Sequence, residues 1–261
     1  MSEAMGSSLL TLAVLEFVAA HQPVRVSEVA AALARPKSTV QRALVTLREA
    51  GWIRADGSEW TRWVLTPRVL EVARGAANEL GLRDAAHPVL DALRRQVRES
   101  VMLAVREGDD WVVVDFFAGQ HPLRVGVRVG LRMPLSAGAA GKVMLAFLRD
   151  DEVDAVIGRG LRSITRATIT SGKKLRQELA RIRENGFAYS DGEVTAGVSG
   201  LAAPVLDRDG FAIGAISLTV PQQRLGPEMP DLAARMVEDA ASITAQLRPR
   251  GDAGTPPDGA V

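Results

Sequence analysis

At 261 residues the chain is long enough for two domains, and an apolar fraction of 47% suffices for a packed core in each. A formal net charge of +1 provides no overall basic field, so any nucleic-acid binding has to come from local clustering of charge. The absence of cysteine excludes a disulfide framework, thiolate metal sites and a cysteine nucleophile together.

The first periodic segment, about Ser7 to Ala20, reads as a helix that offers Leu9, Leu12, Ala13, Leu15 and Phe17 for packing. It is too short for a membrane span and has no basic flank or cleavage site, so a cytoplasmic protein with no membrane partner is expected. A second helix, capped by Ser27, buries Val29, Ala30 and Leu33. Pro36 ends it, and a third helix opens at Lys37-Ser38-Thr39. There Val40, Leu44 and Leu47 recur at spacings of four and three and form the inward stripe, which leaves Lys37, Ser38, Thr39, Gln41 and Arg42 outward.

Two short helices joined by a sharp turn place the start of the second in a DNA major groove, where Gln pairs with adenine and Arg with guanine while Ser, Thr and Lys take phosphates. Gln41 and Arg42 are therefore the expected base readers. Gly51 closes the helix, and Trp52-Ile53-Arg54 starts an extended run that turns at Asp56-Gly57-Ser58 and returns over Trp60 to Leu65. This hairpin is a wing, with Arg54 and Arg62 placed for backbone phosphates and Trp52, Trp60 and Trp63 read as packing its strands. From Arg35 to Arg62 the six basic residues Arg35, Lys37, Arg42, Arg48, Arg54 and Arg62 exceed the acids Glu49, Asp56 and Glu59 by three. The alternative is a helical hairpin with a solvated charged face, against which the order of helix, cap and hairpin argues.

After Pro67, Val69, Leu70, Val72 and Ala73 run helically toward Leu80 with few core partners, as in a linker helix. From about Leu82 a helix bent or started at Pro88 carries Val89, Leu90, Leu93 and Val97. Strands are expected at Val101 to Arg106, Trp111 to Phe117 and Leu123 to Val129, then helices at Ala139 to Leu148, Asp151 to Ile157 and Lys173 to Asn185, the last ending at Gly186. A hairpin of Leu201 to Leu206 and Phe211 to Val220 follows, then a helix from about Met229 to Leu247 with Leu232, Met236, Ala240, Ile243 and Leu247 on one face. The reading is α+β: a winged helix-turn-helix domain over 1–66, a linker helix over 67–82, a domain with an antiparallel sheet flanked by helices over 83–248, and a disordered, Pro- and Gly-rich tail over 249–261.

Arg35-Pro36-Lys37-Ser38-Thr39-Val40-Gln41-Arg42 resembles the recognition-helix opening of the IclR-type (isocitrate lyase regulator) transcription factors, and Thr66-Pro67-Arg68-Val69-Leu70 resembles the residues that leave their wing. Met133-Pro134-Leu135-Ser136-Ala137-Gly138-Ala139-Ala140-Gly141-Lys142 resembles the loop and helix start over that family's effector pocket. Gly197-Val198-Ser199-Gly200-Leu201-Ala202-Ala203-Pro204-Val205 resembles the strand beneath it. The resemblance spans roughly residues 8 to 247 in order. It implies a GAF-like sensing domain, operator DNA bound by a homodimer or dimer of dimers, and a small-molecule effector, an organic acid or an aromatic metabolite.

By the same resemblance Ser136, Gly138, Ala139 and Ala140 belong to a helix start whose amides can meet a carboxylate, and Val125, Met133, Val198 and Leu201 form an apolar wall. Without it, the glycine-rich loop reads equally as a close approach of helix to sheet, and each wall residue as core. Family members often carry two consecutive acids after the long helix where this chain has Ser190-Asp191, and Arg followed by Cys or Ser where it has Ser199-Gly200. Both departures remove polar reach and add room, which implies a bulkier or less polar effector than small oxoacids.

No catalytic or cofactor-binding constellation is expected. His21, His87 and His121 are scattered away from metal-ligand spacings, and Gly138-Ala139-Ala140-Gly141-Lys142 lacks the spacing and hydroxyl of a phosphate-binding P-loop. Asp109-Asp110 and Asp150-Asp151 read as a turn and a helix cap. The main expectation is a ligand-responsive transcriptional regulator. The alternatives are a structural DNA-binding protein whose second domain only oligomerises, and an enzyme or ligand-binding module that uses its winged helix for protein contacts.

Overall fold

The computed structural model describes residues 6–58, 60–77, 81–224 and 229–247, with backbone alone over 73–77. The chain divides after residue 77 into two compact units. In the first, α1 (Ser7–His21), α2 (Val26–Ala32) and α3 (Lys37–Glu49) precede a two-stranded hairpin of β1 (Ile53–Ala55) and β2 (Trp63–Leu65), and α4 (Arg68–Ala77) follows. Val40, Ala43, Leu44 and Leu47 of α3 are buried as their spacing requires. Gly51 takes φ +78° just past the end of α3, a left-handed conformation that glycine adopts without a Cβ clash.

The face of α1 differs from the expectation. Leu10, Val14 and Val18, four residues apart, are buried, whereas Leu9 and Leu12 are 58% and 54% exposed. Apolar residues surround this helix on most sides, so its own periodicity does not select a face; packing against α3 and β2 does. The start of α2 also differs. The Arg25 amide donates to the Glu28 carboxylate at 2.6 Å, which places Ser27 inside the first turn rather than at the cap. Trp63 is buried and exchanges backbone hydrogen bonds with Val24, tying the wing to the α1–α2 connection. Trp60, expected to pack the wing, is instead 66% exposed at its tip. Leu70 and Val72 of α4 are exposed, as a helix without core partners should be.

In the second unit a six-stranded antiparallel sheet runs in the order β5-β4-β3-β8-β7-β6, with β3 Ser100–Glu107, β4 Asp110–Phe117, β5 Arg132–Pro134, β6 Ala188–Asp191, β7 Val198–Leu206 and β8 Ala212–Pro221. Alternation along the strands splits the core in two. Met102, Ala104, Ala202 and Ala215 face α6 (Gly138–Ala146), α7 (Asp150–Gly158) and α8 (Gly172–Asn185), whereas Val101, Leu103, Leu201 and Ile216 face α5 (Leu82–Val97) and α9 (Met229–Gln246). Pro88 lies inside α5, and Gly186 caps α8 at φ +77°.

The strand expected over Leu123 to Val129 does not form. Residues 132–134 take the open edge of β4 instead, and the Gly130 amide reaches the Val113 carbonyl at 2.7 Å just before them. Residues 121–129 form no strand, and Val125 and Val127 line a cavity wall rather than a ladder. The 249–261 tail lies outside the described residues.

Candidate nucleic-acid interface and ligand cavity

On α3, Lys37, Ser38, Gln41 and Arg42 are exposed opposite the buried stripe, and Thr39 is half-buried. None of the four exposed side chains has a hydrogen-bond or ion-pair partner among the described residues. The helix start itself supplies unsatisfied amides, because Pro36 provides no side-chain cap. The set divides by angle. Arg42 shares a flank with Thr39 and Thr46, beside Ser7, Ser8 and Thr11 of α1, whereas Lys37, Ser38 and Gln41 lie off that flank. Arg35 is half-buried before the helix.

The wing arginines differ from one another. Arg54 is exposed and donates to the Ala55 carbonyl at 3.2 Å. Arg62 donates from Nε to Asp56 Oδ2 at 3.1 Å, so a phosphate has to compete with a carboxylate for it. Hydrogen bonds from Ser58, assisted by Arg62, hold the Asp56 carboxyl below its ordinary range and keep it charged.

In the second unit, a cavity of about 210 Å³ lies between the start of α6 and the sheet. A larger hollow of about 650 Å³ lies between α1 and α3, but it belongs to the exposed flank just described. Val125, Met133, Gly138, Ala139, Ala140, Ser190, Val198 and Gly200 all line the smaller cavity, so the structure brings these eight expected residues together. Three expected residues do not line it. Leu201 points to the opposite face with the α5–α9 core, because neighbours on a strand alternate and Gly200 takes the cavity side. Ser136 is buried under the loop. Asp191 stands behind the wall, accepting from Ser199 Oγ at 2.9 Å and Gln222 Nε2 at 2.8 Å.

Gly200 has a definite role. A Cβ there would meet Ser190 Oγ at 3.0 Å and Ala139 Cβ at 3.4 Å, so any side chain fills the hollow from the strand side. Gly141 lets α6 sit on its own loop and on Trp111, where a Cβ would come within 2.6 Å of the Leu135 carbonyl oxygen and 2.7 Å of the indole. The loop thus allows close approach at Gly141 and borders the cavity at Gly138 to Ala140.

Sequence reasoning missed Glu193. This 6%-exposed carboxylate accepts from the Gly138 amide at 3.3 Å and from Lys142 Nζ at 2.5 Å. Lys142, 1% exposed, also donates to the Tyr189 carbonyl at 2.8 Å and to Glu178 at 3.2 Å. The signal was a lysine within the apolar run Ala139 to Ala146, which demands a buried partner. Trp111, whose Nε1 donates to the Ala137 carbonyl at 3.1 Å, and the hydroxyl-bearing Thr195, Ser217 and Thr219 also line the cavity, as does Ser199, whose hydroxyl turns to Asp191. Ser217 and Thr219, alternating in the otherwise apolar β8, were legible as one polar strand face.

His87 pairs with Asp115 at 2.7 Å and His121 lies 3.7 Å from Glu99, in separate places. No group of three metal-ligating side chains occurs among the described residues, and no helix there is long and apolar enough to cross a membrane.

Residues 11–57 match the IclR helix-turn-helix domain, and residues 74–245 match the bacterial transcriptional regulator IclR C-terminal domain. The chain is 29% identical over 238 residues to the transcriptional repressor IclR of Escherichia coli, covering 89% of this chain and 86% of that one. A solved structure of a transcriptional regulator from Rhodococcus sp. RHA1 superposes with a TM-score of 0.80 at 31% identity, covering 92% of this chain and 97% of the other. An IclR homologue from Microbacterium hydrocarbonoxydans, complexed with 4-hydroxybenzoate, shares the fold with a TM-score of 0.80 at 24% identity, covering 93% and 99% of the two chains.

Proposed function

Because this chain belongs to the IclR family of DNA-binding transcriptional regulators, which are not enzymes, we propose that it is a cytoplasmic, ligand-responsive regulator. Its α3 face reads an operator, and its 210 Å³ cavity binds a small effector. The observation that carries the DNA half is the unpartnered set Lys37, Ser38, Gln41 and Arg42 on an uncapped helix start. Gln41 and Arg42 read base edges. Lys37, Ser38, Thr39, Arg35 and Arg54 take phosphates, and Arg62 joins them when it leaves Asp56.

Two copies act together. The exposed Leu9 and Leu12 of α1 and Leu70 and Val72 of α4 are apolar surface suited to a second copy, and a two-fold dimer addresses two half-sites. The effector half rests on the buried lining of the cavity and on the relative that holds an aromatic acid on the same fold. A carboxylate-bearing effector would have to share the start of α6 with Glu193, leaving it the amides of Ala139 and Ala140.

Selection of tight binders from a randomised duplex pool by the full-length chain tests the reading. Two-fold symmetric sites are expected, lost together in the Lys37→Ala, Gln41→Ala, Arg42→Ala triple variant. Equal affinity for all duplexes, unchanged in the triple variant, rules it out.

A further inference from the structure

Accepting that the cavity beneath α6 is the effector site, we propose that it takes an uncharged, hydroxyl-bearing, single-ring molecule, and that Glu193 excludes carboxylates from it. Among the described residues that line it, none carries a charge. Its walls are Trp111, Met102, Met133, Val127 and Leu131, and its polar groups are hydroxyls. Ser217 already donates to the Leu201 carbonyl, which leaves its oxygen as an acceptor toward the cavity. Thr219 Oγ1 is buried with no partner among the described residues. A ligand hydroxyl both donates and accepts and so satisfies this set, which a carboxylate, an acceptor only, does not.

The charges behind the wall point the same way. Asp191 and Glu193 are acids, Glu178 is a third, and Lys142 shares itself among Glu178, Glu193 and the Tyr189 carbonyl. The amide at the head of α6 that would first meet an anion, Gly138, already faces Glu193. An anionic ligand would enter beside acids whose cations, Lys142 and Arg181, are already engaged with them, and among the described residues no free cation lines the cavity to meet it. A cationic ligand finds no better place, since both nearest acids have their own donors. The volume of about 210 Å³ fits one ring with substituents, given that an apolar cavity of about 150 Å³ holds benzene.

Calorimetry on the full-length protein with a matched set tests this: 4-hydroxybenzyl alcohol, 4-hydroxybenzamide, 4-hydroxybenzoate and 4-hydroxybenzylamine. The two neutral members should bind at least about tenfold more tightly than the acid or the amine. Glu193→Gln should close most of the gap to the acid, and Thr219→Val should weaken the neutral members several-fold. Tighter binding of the acid or amine, or no binding of either neutral member at millimolar concentration, overturns the proposal. Gly200→Leu separates the two layers of inference, with Gly200→Ala as the substitute if the leucine variant does not fold. A tightly bound acid lost in that variant removes only the ligand class, whereas any probe bound with wild-type affinity places the site elsewhere and removes the effector reading with it.

Discussion

The Lys142 ammonium lies 2.5 Å from the Glu193 carboxylate, with both side chains almost fully buried. The pair joins the second turn of α6 to the connection between β6 and β7, and both α6 and that connection border the ligand cavity. Breaking it from one side leaves an uncompensated buried charge, whereas replacing both ions by apolar groups removes charge and desolvation together. Lys142→Met should therefore cost about 3 to 5 kcal/mol in urea unfolding, and Lys142→Met with Glu193→Leu appreciably less. A single-variant cost below about 1 kcal/mol would mean that Glu193 escapes to solvent when Lys142 is gone.

On α3 the flank geometry separates two roles. Gln41→Ala should relax base preference at one position of each half-site, and Arg42→Ala should cost about 1 to 3 kcal/mol on the specific site if it reads a guanine. If Arg42, next to α1, contacts a phosphate instead, the loss will be uniform across sequences, with the salt slope falling by about 0.9. Fluorescence anisotropy at several salt concentrations on matched and mutated duplexes distinguishes these outcomes.

In the wing, Asp56 holds Arg62. Asp56→Ala frees the guanidinium, so non-specific DNA affinity should rise and its salt dependence steepen by about one phosphate contact. Arg62→Ala should flatten the slope in the Asp56→Ala background more than in the wild type. Equal effects in both backgrounds would show that the ion pair does not compete with DNA.

A pH effect is expected at α7. Arg106, whose Nη1 donates to Glu152 at 2.6 Å, is the main reason the Glu152 carboxyl sits below its ordinary value of 4.5. A carboxyl with a depressed folded-state value stabilises the fold above the unfolded value and loses that contribution as pH falls through the folded one. Thermal melts should therefore show part of the acid loss below about pH 4.5 disappearing in Arg106→Gln. Glu152 is 35% exposed, so solvent screening keeps the effect under about 1 kcal/mol.

The sequence by itself determined the features that depend on neighbours along the chain. The stripe of Val40, Leu44 and Leu47, the stop at Pro36, and the left-handed Gly51 and Gly186 are set by local sterics and by spacings of 3.6 or 2. Of the eight expected residues that line the cavity, six lie in a loop run and a strand run that were each recognisable, while Val125 and Ser190 came only from the family resemblance. The remainder depended on partners distant in sequence. Leu10, Val14 and Val18 were chosen over Leu9 and Leu12 only when α1 met α3 and β2. Residues 132–134 rather than 123–129 pair with β4, at its Asp110–Val112 end, and Val125 and Val127 line the cavity. Leu201 turned away from the cavity through the β7 register. Glu193 reached Gly138 and Lys142 across more than fifty residues of chain, and no local pattern encodes which buried acid will answer a buried lysine. Tertiary structure decided that, because a charge taken out of water is stable only where the fold brings its counter-charge to it.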